Sequence, residues 1–216
     1  GRQKPFYPLQ KYYSTNFRWD TSFIRMDKTN IHLSYSNVKY HFETGIVYTI
    51  LDNFISFDKT AMPVQNTSTF NVITAYMKKD ILFHALVFRN MIYFQQSGNN
   101  ALPLPEWCAY NSTFYNFHVF NKVLHIQLGF DIYYNTSFHA QAYMPATSVF
   151  YLQEEKKIGG YPYADVFLNA NLKRVRFFLK MEHVNHEMMG RFYLSAVQYP
   201  AQGRMMKFGL SWSFYD

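Results

Sequence analysis

Apolar and polar residues alternate along most of this chain, most regularly at its end. In the stretch 207–214, Phe208, Leu210, Trp212 and Phe214 fall on one side of an extended strand, and Lys207, Gly209, Ser211 and Ser213 on the other. A period of two with large apolar groups on one face and small or polar groups on the other marks a strand with one oily and one wet side. Ten segments carry this signal well enough to be read as strands: 16–23, 31–36, 39–51, 69–77, 81–95, 112–120, 122–134, 163–172, 174–184 and 206–214. Helical periodicity is nowhere convincing.

The best-patterned segments assign faces residue by residue. In 39–51 the apolar side is Tyr40, Phe42, Ile46, Tyr48 and Ile50, set against Lys39, His41, Glu43, Gly45 and Thr49. In 122–134, Leu124, Ile126, Leu128, Phe130 and Ile132 face out, and His125, Gln127, Gly129 and Asp131 face in. In 163–172, Val166, Leu168, Ala170 and Leu172 oppose Asp165, Asn169 and Asn171; in 174–184, Val175, Phe177, Leu179 and Met181 oppose Arg174, Arg176, Lys180 and Glu182. Segment 81–95 is irregular, because Arg89 breaks the parity of His84 and Asn90, and a bulge or shifted register is expected there.

Turn signals are short at 37–38, 78–80, 120–121 and 172–173 and long at 52–67, 96–109, 135–161 and 185–203. Only the brief 25–29 connection breaks that alternation. Short connections on one side and long ones on the other are how outer-membrane barrels treat periplasm and exterior. Counting back from the last strand puts the C-terminus on the short-turn, periplasmic side. Strands of about 9–11 residues suffice to cross a bilayer at a tilt. A soluble β-sandwich also alternates, but its outer face is polar and its strands are nearer five or six residues. The expectation is therefore an all-β, antiparallel transmembrane outer-membrane β-barrel, with about ten strands in a single unit spanning 1–216.

Composition adds to this picture. Hydrophobic residues make up 49% of the 216, yet mean hydropathy is −0.25, as interleaving requires. No run of about 18 apolar residues occurs, so no transmembrane helix is expected. Aromatics reach 20%, with 19 Tyr and 22 Phe, which suits girdles at two membrane interfaces. Tyr134, Tyr163, Trp212 and Tyr215 near strand ends are the candidate interface anchors. A formal charge of +7 suits anionic headgroups or an anion pore, and the absence of a basic run argues against nucleic acid as a partner. The lone Cys108 excludes an internal disulfide. The N-terminus has no apolar signal region, so the chain is expected to be mature or to begin inside a longer protein.

Two stretches of the last third, 157–184 and 199–216, resemble the C-terminal part of the outer-membrane porin family of Bacteroidota. The first contains Lys157-Ile-Gly-Gly-Tyr-Pro-Tyr-Ala-Asp165 and the second ends in Lys207-Phe-Gly-Leu-Ser-Trp-Ser-Phe-Tyr-Asp216. Phe17-Arg-Trp-Asp20, Leu102-Pro-Leu-Pro105 and Tyr143-Met-Pro-Ala-Thr147 before Phe150-Tyr-Leu-Gln153 are similar to that family as well. Its members are longer, so the resemblance implies a portion of a wider barrel.

The candidate solute-facing residues are the polar-side row Arg174, Arg176, Lys180, Glu182, Asp165, Asn169, Asn171, Lys207, His125 and Asp131. Mixed charges on a pore wall select ions and orient dipolar solutes, and they also pair across strands simply to stiffen a lumen. His183, His186 and Glu187 lack metal-ligand spacing, and no hydrolase, metalloprotease or phosphate-loop motif occurs. No enzyme activity, metal or cofactor is expected. The expected function is a porin-like channel for passive diffusion of small solutes or ions in a bacterial outer membrane. Its neighbours would be lipid and lipopolysaccharide, with the rest of a longer barrel or other outer-membrane subunits as further partners. A non-conducting barrel subunit of an outer-membrane complex and a soluble glycan-binding sandwich are the alternatives.

Overall fold

The computed structural model describes residues 1–5, 7–188 and 194–214, without the side chain of Tyr7. Nine long strands carry the fold. They are β1 (Met26–Asn37), β2 (Phe42–Asp52), β3 (Phe70–Phe83), β4 (Leu86–Ser97), β5 (Trp107–Val119), β6 (Leu124–Asn135), β7 (Tyr163–Leu172), β8 (Val175–Glu182) and β9 (Met205–Trp212). Each pairs antiparallel with its neighbour in chain order, and a two-residue strand, Arg2–Gln3, adds to β1 to make the tenth member of the sheet. The sheet is an open meander: β1 and β9 do not pair with each other.

Connections obey the alternation read from the sequence. At one end, the turn end, β3 and β4 are joined by His84-Ala85, and β7 and β8 by Lys173-Arg174, with His84 (φ 54°) and Lys173 (φ 53°) in the left-handed region that such tight reversals use. At the other, the loop end, the long connections build their own hairpins. Phe54–Phe57 pairs with Pro63–Asn66, Ala142–Met144 with Val149–Tyr151, and Leu194–Ala196 with Tyr199–Pro200. The chain before β1 adds a fourth, Lys11–Tyr13 with Arg18–Asp20.

Because side chains alternate across a strand, the register sorts the sheet into two faces. One carries Leu33, Ile46, Leu128, Phe130, Leu210 and Phe208 and is bare; Leu33 is 74% and Phe208 82% exposed. The other carries Gly45, Ser112, Gly129, Asp131 and Asp165, all buried, Asp165 to 3% exposure. The central polar residues of β5, β6 and β7 are packed while the apolar face is open, the inverse of a water-soluble sheet. No second sheet covers the apolar face among the described residues, which rules out the β-sandwich.

Buried apolar side chains gather instead at the loop end. Leu51, Phe70 and Val72 pack with Phe54, Leu102 and Leu104; Ala140, Ala142 and Val197 pack with Phe138, Tyr151 and Ile158. The hairpins are clasped across long sequence distances. Leu152 N–H donates to Phe57 O (2.9 Å), Tyr12 Oη to Ala146 O (2.8 Å) and Lys59 Nζ to Glu154 (2.6 Å).

Four sequence expectations are corrected. Segment 81–95 is not one irregular strand: β3 ends at Phe83, the chain reverses at His84-Ala85, and β4 pairs back on β3 in continuous register without a bulge. Segment 16–23 is not a long strand: only Arg18–Asp20 is extended, and Trp19, 5% exposed, stacks on Tyr12 (4.7 Å) and meets Phe57 edge-on within the loop layer. Residues 78–80 are not a turn, since β3 runs through them to Phe83. Their charges face partners on adjoining strands, Lys78 opposite Glu43 (3.0 Å) and Asp80 opposite Arg89 (3.3 Å). Residues 26–29 are likewise no connection but the start of β1. The tenth sheet strand is therefore Arg2–Gln3, not 16–23.

A polar wall ordered by strand register

The polar face is built in register rows, because directly opposed residues in an antiparallel ladder point the same way. Nearest the loop end, Tyr110 stands opposite Tyr133 (ring centroids 4.8 Å) and Tyr133 opposite Tyr163 (6.4 Å). Tyr163 stacks in turn on His183 (4.6 Å, 17° between planes). Tyr133 and Tyr163 border a largely apolar cavity of about 600 Å³ that also touches Phe138 and Tyr161.

The next row is charged. Arg89, Ser112, Asp131 and Asp165 follow one another in register across β4, β5, β6 and β7. Two opposed carboxylates repel unless a cation sits between them. Lys180 supplies it, with Nζ 2.8 Å from Asp165 and 3.9 Å from Asp131. Tyr110 Oη donates to Asp131 (3.2 Å) and the backbone N–H of His183 to the second oxygen of Asp165 (2.9 Å). Lys207 stands opposite Lys180 in register, and it turns to Glu182 (2.7 Å). Asp131, Asp165, Glu182, Lys180 and Lys207 thus form one alternating network. Its Asp131 and Lys180 border a cavity of about 360 Å³ together with Arg89, Phe114 and Phe167.

Aromatic rings lie over glycines in the row below. A Cβ on Gly129 would fall 2.5 Å from Phe114 Cβ and 2.8 Å from the Phe167 ring. Glycine is needed there because the rings approach the backbone so closely. An amide ladder follows: Gln127 Nε2 donates to Asn116 Oδ1 (3.3 Å), and Asn169 Nδ2 to Gln127 Oε1 (2.9 Å).

Nine of the ten solute-facing candidates sit on this face: Arg176, Lys180, Glu182, Asp165, Asn169, Asn171, Lys207, His125 and Asp131. Arg174 does not, because the strand stops at Leu172 and Arg174 belongs to the turn. Among the aromatic anchors, Tyr134 and Trp212 are on the apolar face, 39% and 56% exposed. Tyr163 is on the polar face, corrected by its parity with Asp165, and Tyr215 lies outside the described residues. Polar-face members missed from the sequence include Lys78, Asp80, Arg89 and Tyr110. Glu43, read onto the polar side by its parity with Gly45 and Thr49, lies there, though it was not among the solute-facing candidates.

His183 is fully buried, with Nδ1 2.7 Å from Gln202 O and Nε2 3.2 Å from Tyr161 Oη, tying the end of β8 to the segments that lead into β9 and β7. Among the described residues no group of three or more His, Cys, Asp or Glu could hold a metal ion. No helix among them is long and apolar enough to cross a membrane.

In the loop layer, burial works against ionisation of Asp58. Hydrogen bonds from Thr60 Oγ1 (2.6 Å) and from the N–H groups of Met62 (3.0 Å) and Thr60 (2.8 Å) outweigh it and lower its pKa. Glu154 is lowered chiefly by the hydrogen bond from Lys59. A carboxylate with a lowered folded pKa contributes stability above its unfolded value and loses it as pH falls through the folded one. The 54–66 hairpin should therefore stay clasped to 152–154 at neutral pH and loosen below about pH 4. Amide exchange of these loops across an acid titration should rise there, ahead of exchange in β6 and β7.

An antiparallel meander with a bare apolar face, a packed polar face and long loops gathered at one end is the wall of a β-barrel membrane protein. A family model described as "Putative porin" matches residues 1–216, and the chain belongs to that family. No characterised protein and no solved structure matches it.

Proposed function

We propose that this chain forms wall of an outer-membrane channel through which small hydrophilic solutes or ions diffuse passively, with no catalytic step. Membership of the porin family supports this reading. The observation that carries it is the opposition of the two faces. The apolar side would lie against lipid and lipopolysaccharide, and the ordered rows of charges, amides and tyrosines would line the water path. The loop end would face the exterior and the turn end the periplasm.

Among the described residues the outer edges of β9 and of β1 beyond Lys28 are unpaired, which bears on what completes the pore. Unpaired backbone groups cost several kcal/mol each in hydrocarbon. Further strands, from the same or another polypeptide, would close the wall and give a wider lumen. Reconstitution of the natively extracted protein into planar bilayers tests the channel. Stepwise conductance that scales with salt concentration is expected. Inserted, folded protein without conductance would overturn the reading in favour of a scaffolding subunit.

A further inference from the structure

The last register row before the turn end differs in kind from those above it. His118 stands opposite His125, His125 opposite Asn171, Asn171 opposite Arg176 and Arg176 opposite Ser211. Five strands thus place five hydrogen-bond donors side by side, with Cα spacings of about 4.5–5.5 Å between neighbours.

Two features set this row apart. Every other polar-face cation from β3 to β9 has a carboxylate within 4 Å: Lys78 has Glu43, Arg89 has Asp80, Lys180 has Asp165 and Lys207 has Glu182. Arg176 has none among the described residues. The amides and charges of the rows above are also hydrogen-bonded to one another, whereas no side chain of this row hydrogen-bonds a protein group among the described residues. The two imidazoles lie side by side, ring centroids 4.8 Å apart. His125, Asn171, Arg176 and Ser211 open into one cavity of about 410 Å³. Lys173 and Arg174 in the adjoining turn add positive charge.

We infer that this row is a binding subsite for a small phosphate-type oxyanion. A planar guanidinium presents a fork of donors that fits tetrahedral oxyanions, and charge-assisted bonds to it are roughly twice as strong as neutral ones. Imidazole N–H, amide and hydroxyl groups on both sides can reach the remaining oxygens. With no carboxylate in the row, nothing there competes for the donors. The subsite stands on this geometry; its use as an anion-selecting station during transit rests on the channel reading. Anions would leave the network around Lys180, whose three carboxylates outnumber its two lysines, and be held next at Arg176.

The test is a titration of inorganic phosphate against the full, detergent-solubilised protein, read by phosphorus NMR line broadening and requiring no conductance. Saturable binding is expected, weakened at least tenfold by Arg176→Gln. Lys39→Gln, which removes one positive charge from a different turn, should leave it unchanged. Asn171→Asp, which puts a carboxylate into the row, should abolish binding and serves if Arg176→Gln fails to fold. No saturable binding, or equal losses in Arg176→Gln and Lys39→Gln, would overturn the subsite. Reversal potentials under a KCl gradient separate the two readings. In a conducting channel Arg176→Gln should shift selectivity toward cations. Phosphate binding by a protein that never conducts would retain the subsite and reject the channel, and conductance without phosphate binding would do the reverse.

Discussion

Replacing Leu128 with arginine should destabilise the protein in a membrane by about 2–4 kcal/mol, the cost of a cation on the lipid face of a barrel near the bilayer midplane. Replacing Asn169 with arginine should cost no more than about 1 kcal/mol, the worth of its one hydrogen bond to Gln127. The two residues sit one position apart in register, since Leu128 opposes Leu168, yet they lie on opposite faces. Both are solvent-open in the isolated chain, so a water-soluble protein would accept either arginine. Urea unfolding in phospholipid vesicles would read the difference. Equal tolerance of both would defeat the assignment of the bare face to lipid.

The second large effect is expected at Lys180. Its ammonium is the one charge separating Asp131 from Asp165, which are 8% and 3% exposed. Lys180→Met leaves two buried carboxylates facing each other and should cost about 3–5 kcal/mol, the usual penalty for stranding buried charge. Most of that should return in the Lys180→Met/Asp165→Asn double variant. An asparagine oxygen still accepts the His183 N–H, and Asp131 keeps its tyrosine donor. The melting temperature in micelles for the wild type, both single variants and the double would report the coupling. Additive losses would mean that Lys180 and Asp165 act independently.

The architecture was legible because β6, β7, β8 and β9 alternate almost without exception, so parity alone separates Phe130 from Asp131 and Phe208 from Lys207. Errors arose where composition outvoted parity. The run Lys78-Lys79-Asp80 has the charge of a turn but is mid-strand, its Lys78 and Asp80 held by acid and base on neighbouring strands. Tyr163 shares the parity of Asp165, yet its place near a strand end suggested a lipid anchor. Segment 16–23 alternates, but Trp19 spends its apolar surface on Tyr12 and Phe57 rather than on lipid. The site was less legible than the fold. Which side chains share a row depends on the register of several successive hairpins, and one residue of uncertainty in any turn scrambles it. His118 and Ser211, 93 positions apart by the difference of their numbers, could be joined only once His125, Asn171 and Arg176 were placed between them.

The clasps of the loop layer constrain the order of assembly. The Tyr12–Ala146 hydrogen bond closes a sequence separation of 134 residues and the Lys59–Glu154 pair one of 95. The β1–β2, β3–β4, β5–β6 and β7–β8 hairpins, by contrast, close over two to four residues. Loop closure over such distances is entropically late, and non-local contacts slow folding. These four hairpins should therefore form first, the pairings across the long connections should follow, and the contacts between loop hairpins should come later still. The cap would close as the last event, a lock set only after the strands are in place.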